Sequence, residues 1–244
     1  MIRIGRTLST WATRWVNRDT LRLRLSRCVL CLAGAGPSCL CDACLRDLPA
    51  NPEACERCAL PLTAPNPQRL CHGCLARTPP QDFCLTPWRY EFPVDQMIRR
   101  YKYDGLRAPG KALALNWSHQ VAGRLTAMPQ ALVPAPIASD RLRERGFSQA
   151  AEIADWISRG TGVPLETGLL RRHPGYQSQA GLDRGERRRN LQDAFFVTAR
   201  SALPGHVAVV DDVITTGASG EAMAACLRQA GIGRVDLWAL ARTP

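Results

Sequence analysis

The chain has 244 residues, enough for one large or two smaller domains with a proper core, and a formal net charge of +11 with a pI near 9.5. That balance favours polyanionic partners such as nucleic acid, phosphorylated metabolites or an anionic membrane surface. No run of 18 or more apolar residues occurs, and the amino terminus lacks the apolar core of a signal peptide, so no membrane span and a cytoplasmic location are expected.

Residues 1–27 carry seven arginines against one acid, Asp19. Trp11 and Trp15 are four apart, so a basic amphipathic helix that touches nucleic acid or membrane is one reading. A helix packed on the body, or a frayed terminus, is the other.

Eleven cysteines follow, nine of them between Cys28 and Cys74. The odd number and the missing secretory signal argue against a disulfide framework. Spacing points to metal instead. Cys28 and Cys31, Cys41 and Cys44, Cys55 and Cys58, and Cys71 and Cys74 are four Cys-x-x-Cys pairs. Two intervening residues form a turn that aims both sulfurs at one ion, and two such turns complete a tetrahedral site. Four pairs therefore predict two structural zinc sites in a double ribbon over 28–78. The segment has few large apolar residues, so the metal has to supply much of its folding energy. First-with-second and third-with-fourth is the simplest pairing, with a crossed pairing left open. Cys39 is an alternative to Cys41, and His72 lies between two ligands; both read as bystanders.

Thr78-Pro79-Pro80 marks the start of a second domain, 79–244. Trp88, Tyr90 and Phe92 alternate with charged residues, which predicts a half-buried strand with a core-facing aromatic row. Met97–Tyr103 reads as a helix bearing Arg99, Arg100 and Lys102. Residues 108–124 read as another, with Ala112, Leu115, His119 and Ala122 on one side and His119 packed. Ala131–Pro134 reads as a strand. A loop then gathers Arg141, Arg143 and Arg145, and a helix over 148–159 is predicted with Ser148 as N-cap. Residues 171–190 hold six arginines against two acids, with Gly and Pro interspersed, and predict a loop able to close over a charged group or to contact nucleic acid. Leu191–Val197 and Val235–Ala241 read as strands.

The remaining stretch, Val207–Ser219, organises the domain. Val207–Val210 is a buried parallel strand by composition. Asp211 and Asp212 follow, then Val213, Ile214, Thr215, Thr216, Gly217, Ala218 and Ser219. Ala222, Met223, Cys226, Leu227 and Ala230 recur at helical spacing, so a helix begins near Ala218. Strand, tight turn and helix present unpaired N–H groups and the positive helix end to a phosphate. Carboxylates repel phosphate, so Asp211 and Asp212 suit sugar hydroxyls and a hard cation such as Mg²⁺. The absence of Gly-Lys-Ser/Thr rules out a Walker loop.

These thirteen residues resemble the phosphoribosyl-pyrophosphate (PRPP) loop of type I phosphoribosyltransferases. The wider set is similar to the ComF/GntX-like family: the four cysteine pairs, Lys102 with Gly105, Val133-Pro134-x-Pro136, Arg141-x-Arg143-x-Arg145-Gly146-Phe147-Ser148-Gln149, Gln179-x-x-Leu182, and Arg189-Asn190 with Ala194-Phe195. Ser148 stands where that family more often has Asn. The resemblance implies an α/β fold, a type I phosphoribosyltransferase-like parallel sheet flanked by helices, preceded by the double zinc ribbon. It implies PRPP bound with Mg²⁺, with Asp211 and Asp212 on the ribose and Val213, Thr215, Thr216, Gly217, Ala218 and Ser219 around the 5-phosphate. Lys102, Arg141, Arg143, Arg145, Arg187, Arg188 and Arg189 would face pyrophosphate. It further implies handling of single-stranded DNA in natural transformation, with DNA-uptake helicase-type proteins as partners. Phosphoribosyl transfer from PRPP to an acceptor is the alternative activity. No general base stands out, and no cysteine at position 2 supports glutamine amidotransfer.

Overall fold

The computed structural model describes residues 26–64, 67–125, 127–174, 193–199 and 202–244. The helix expected in the first 25 residues and most of the arginine-rich loop expected over 171–190 lie outside the described residues. The chain forms two compact units that divide between Arg46 and Asp47. The smaller has a two-stranded antiparallel ribbon, β1 (Ser26–Arg27) with β2 (Gly34–Ala35), and a short helix α1 (Asp42–Arg46).

The larger unit starts with a short helix α2 (His72–Ala76), then β3 (Phe83–Leu85) and β4 (Trp88–Arg89). Helices α3 (Val94–Tyr103) and α4 (Arg107–Val121) lead to β5 (Ala131–Pro134). Helices α5 (Ser139–Arg145) and α6 (Gln149–Thr161) precede an antiparallel pair, β6 (Leu170–Arg172) and β7 (Phe195–Val197). The last βαβ unit is β8 (His206–Ile214), α7 (Ala218–Gln229) and β9 (Arg234–Arg242).

The central sheet is parallel, in the order β3, β9, β8, β5, with β4 continuing along β9. Both long strands are apolar on both faces, as a sheet covered on both sides requires. One face of β8 and β9 (Val207, Val209, Val235, Leu237, Ala239) packs on Ala222, Met223 and Leu227 of α7. Burying each of the larger of these side chains contributes roughly 1.5–3 kcal/mol. On the other side Trp117 of α4 stacks on Trp238, ring centroids 4.7 Å apart, and its indole N–H donates to the Ala239 carbonyl at 3.0 Å. Two backbones approach closely. A Cβ on Gly110 would meet the Tyr101 ring at 2.6 Å, and one on Gly220 would meet Leu237 Cδ1 at 2.6 Å. The glycine at 220 thus lets the first turn of α7 settle onto β9.

Several expectations shift. The valine strand continues through both acids to Ile214, because Val213 and Ile214 pair with Ala241 and Arg242. The segment 139–145 is a helix, not a loop: Leu, Arg and Glu favour helix, and Gly146 ends it in the left-handed region at φ 75°. The aromatic row ends at Trp88; Tyr90 is only half-buried and Phe92 is 71% exposed. In α4 the buried face is Ala112, Leu113, Asn116 and Trp117, and His119 faces solvent. Ser148 caps α6 as expected, its Oγ accepting from the Ala151 N–H at 3.3 Å.

Candidate binding cleft and metal centres

Strand alternation decides what the two acids do. Neighbouring residues of a strand point to opposite faces. Asp211 shares the face of Val209 and Val213, and these three line an open cleft with Thr215, Thr216, Gly217, Ala218 and Ser219. Asp212 points to the other side, where Lys102 Nζ of α3 lies 2.8 Å from its Oδ1. The Asp212 N–H also donates to Asp211 Oδ1 at 2.8 Å. Burial, with the neighbouring Asp212 charge, raises the Asp211 pKa to about 7, against the pull of that N–H and of Lys102.

The turn is built as the sequence suggests. Gly217 sits at φ 81°, a left-handed conformation that a side chain would strain. Thr215, Thr216 and Ser219 are exposed at the cleft. The Thr216 hydroxyl accepts from the Ala218 N–H at 3.4 Å, and the first amides of α7 open toward the cavity with the helix dipole behind them. A phosphate could accept from these amides and hydroxyls while Asp211 meets hydroxyls beyond it.

The expected cations are distributed unevenly. Lys102 is paired with Asp212. Arg145 is half-buried: its guanidinium lies 5.2 Å from the Tyr103 ring centroid and donates to Gln149 Oε1 at 3.2 Å. Arg141 and Arg143 are exposed on α5, and their spacing of two puts them on different sides of that helix. Arg187, Arg188 and Arg189 lie outside the described residues.

The cysteines gather into two tetrads, Cys28, Cys31, Cys41 and Cys44, and Cys55, Cys58, Cys71 and Cys74, with all sulfurs of each within 4.8 Å of one another. Sequential pairing therefore holds. Zinc with bonds near 2.3 Å places tetrahedral sulfurs about 3.8 Å apart; Cys31 and Cys41 are at 3.7 Å, Cys58 and Cys71 at 3.6 Å. Hydrogen bonds favour the thiolate at one cysteine of each tetrad, Cys28 and Cys55. At Cys28 burial raises the thiol pKa, but hydrogen bonds from the Cys31, Cys41 and Leu30 backbone outweigh it and hold it near 6. Cys55 falls to about 4, chiefly through a hydrogen bond from Cys58. Both tetrads could hold zinc. Cys39 takes a left-handed turn at φ 61° and its thiol meets the Pro37 carbonyl, and His72 is exposed; neither belongs to a tetrad. Metal analysis of purified protein is expected to return two zinc ions per chain; one or none breaks the assignment.

Sequence patterns missed how deeply the second tetrad is built into the α/β unit. Cys84 N–H of β3 donates to the Glu56 carbonyl at 2.7 Å. Arg57 and Gln81 exchange side-chain to backbone bonds, both at 2.7 Å. The buried Asn51 amide donates to the Ala59 carbonyl at 2.9 Å and to Thr86 Oγ1 at 3.1 Å. Arg77, three residues past Cys74, donates from Nη2 to both oxygens of Glu221 in the first turn of α7, each at 2.8 Å. Arg242 at the end of β9 donates from Nε to the Cys58 carbonyl at 2.9 Å and from Nη1 to the Ile214 and Thr215 carbonyls. The available clue was an arginine that directly follows the apolar run Leu237–Ala241, where a buried guanidinium must find acceptors.

Fold and site together define an α/β protein with a strand–turn–helix cradle and a zinc-ribbon-like cysteine region. No protein-family model matches the chain. It is 30% identical over 251 residues to DNA utilization protein YhgH of Salmonella typhimurium, covering all of this chain and 96% of that protein. It is 30% identical over 159 residues to competence protein F of Haemophilus influenzae, covering 63% of this chain and 69% of that one. Competence protein ComFC of Bacillus subtilis is 27% identical over 145 residues, 59% of this chain and 57% of its own length. The chain belongs to the ComF/GntX-like family. No helix among the described residues is long and apolar enough to cross a membrane.

Proposed function

We propose that the cleft between β8 and α7 binds PRPP with Mg²⁺, and that the chain serves the handling of incoming single-stranded DNA. The supporting observation is the cleft itself, where one half-buried carboxylate, Asp211, shares a wall with the hydroxyls and open helix end of 215–219. A ligand with phosphate at one end and sugar hydroxyls at the other satisfies both. Lys102 exchanges Asp212 for a pyrophosphate oxygen, which frees Asp212 for the sugar or the cation. The net charge of +11 suits both ligands, and the names of the relatives, competence and DNA utilization proteins, support the DNA role.

Calorimetry at fixed free Mg²⁺ tests the site. Asp211 binds sugar hydroxyls best when ionised, and its pKa lies near 7. Affinity is therefore expected to rise about tenfold from pH 6 to pH 8; equal affinities reject Asp211 as a contact, and no binding at either pH rejects the site. A binding module is expected to release no pyrophosphate against a panel of acceptors and to hold single-stranded DNA with a steep salt dependence. Turnover would instead select the phosphoribosyltransferase alternative.

A further inference from the structure

We infer that Arg242 is a positioning residue that ties the shape of the 215–219 turn to the second cysteine tetrad. Arg242 is buried, 7% exposed, and its guanidinium has acceptors in two directions. On one side Nε donates to the carbonyl of Cys58, a residue of that tetrad. On the other Nη1 donates to the carbonyls of Ile214 and Thr215, where the turn leaves the sheet, and to that of Thr243. The planar fork of arginine suits this bridge, because its donors are fixed relative to one another and reach both sides at once.

The neighbouring bonds leave the fork little freedom. The Thr243 N–H donates to the Ile214 carbonyl at 3.0 Å, and Ile214 pairs with Arg242 in the ladder. The Cys58 side is anchored by Asn51, Gln81 and Cys84. A carbonyl is thus held at each end by a separate rigid element, and the guanidinium lies between them. If the Cys55–Cys58 knuckle moves, the acceptor at 58 moves, and the Ile214 and Thr215 carbonyls lose or shift a charged donor. The amides of Thr215 and Thr216 share peptide bonds with those carbonyls, and those of Gly217 and Ala218 come next in the chain. The tetrad thereby sets the cradle at its entrance, although no cysteine lines the cleft. For the ligand, the inference rests on the PRPP reading above; for the geometry of the turn it does not.

Hydrogen exchange with mass spectrometry on the full chain separates the two. In Arg242→Met, the amides of Glu221 and Thr243, which donate to the Gly217 and Ile214 carbonyls of the turn, are expected to exchange at least tenfold faster, while peptides covering 131–134 and 149–161 keep their rates and the zinc count is unchanged. Arg242→Lys keeps the charge but lacks the fork, and is expected midway. Removing zinc from the wild-type chain with a chelator is expected to quicken the same two amides. Wild-type exchange at Glu221 and Thr243 in Arg242→Met, or in Arg242→Lys should the methionine variant not fold, overturns the inference. PRPP affinity is measured in parallel and is expected to fall about tenfold in Arg242→Met. If the wild-type chain binds no PRPP, the functional reading fails while the exchange data still decide the role of Arg242.

Discussion

Replacing Asp211 and Asp212 together with asparagine is expected to weaken Mg–PRPP binding by at least a hundredfold while the fold survives. Hydrogen bonds to charged groups contribute roughly 1.5–3 kcal/mol each, and losing two exceeds two powers of ten in affinity. The stability effects run in opposite directions. Asp211 is an acid whose folded-state pKa is raised from 3.8 to about 7. The folded state therefore favours its protonated form, and ionisation costs stability progressively as pH rises from about 4 to 7. Asparagine removes that cost, so Asp211→Asn alone is expected to raise the melting temperature at pH 8 and to have little effect at pH 4. Asp212→Asn leaves Lys102 without its 2.8 Å partner. Both side chains are mostly buried, so this loss costs roughly 3 kcal/mol or less, the lower part of the range for broken buried pairs. Calorimetry and thermal melts of the single and double variants check both halves. Unchanged PRPP affinity in a folded double variant rejects the assignment of the sugar hydroxyls to these acids.

The largest expected loss of stability follows from removing the second tetrad. Cys55→Ser with Cys58→Ser is expected to halve the zinc content and to lower the melting temperature by well over 10 °C, or to abolish soluble expression. Structural zinc contributes roughly 10–16 kcal/mol in finger peptides, comparable to the whole 5–15 kcal/mol that holds a typical protein together. For a domain of this size about 1 kcal/mol shifts the melting point by roughly 2–4 °C. The damage should spread beyond the knuckle. Ala59 is fully buried in the same core cluster as Val209, Met223 and Leu237, and its carbonyl satisfies the buried Asn51. Metal analysis alongside calorimetric melting decides the matter; a variant with one zinc and a wild-type melt would show the tetrad to be an appendage.

The features legible in the sequence were those written in local order. The four Cys-x-x-Cys pairs carry their own geometry. The run from Val207 to Ser219 announces strand, turn and helix within thirteen residues, and Ser148 declares a cap. What the sequence concealed depended on partners far along the chain. Lys102 and Asp212 are 110 positions apart, and only the opposite orientation of adjacent strand residues separates Asp212 from Asp211. The Arg141–Arg145 segment looked like a loop because charge dominated the reading, although its residues favour helix and Gly146 supplies the stop. His119 was assigned to the packed side because alanines at helical spacing looked like the core face. Trp117, whose indole reaches the Ala239 carbonyl, fixes the face instead. Arg242 was passed over because nothing near it in the chain explains it; its acceptors come from residues 58 and 214–215.

The stacked indoles of Trp117 and Trp238 give the chain an optical gauge of its own. Trp238 borders the cleft from its place in β9, its indole lies on the opposite face of the sheet against Trp117, and Trp117 is anchored to the sheet backbone. Anything that enters and nudges this couple alters its ultraviolet emission and its near-ultraviolet dichroism, so occupancy can be followed without attaching a dye.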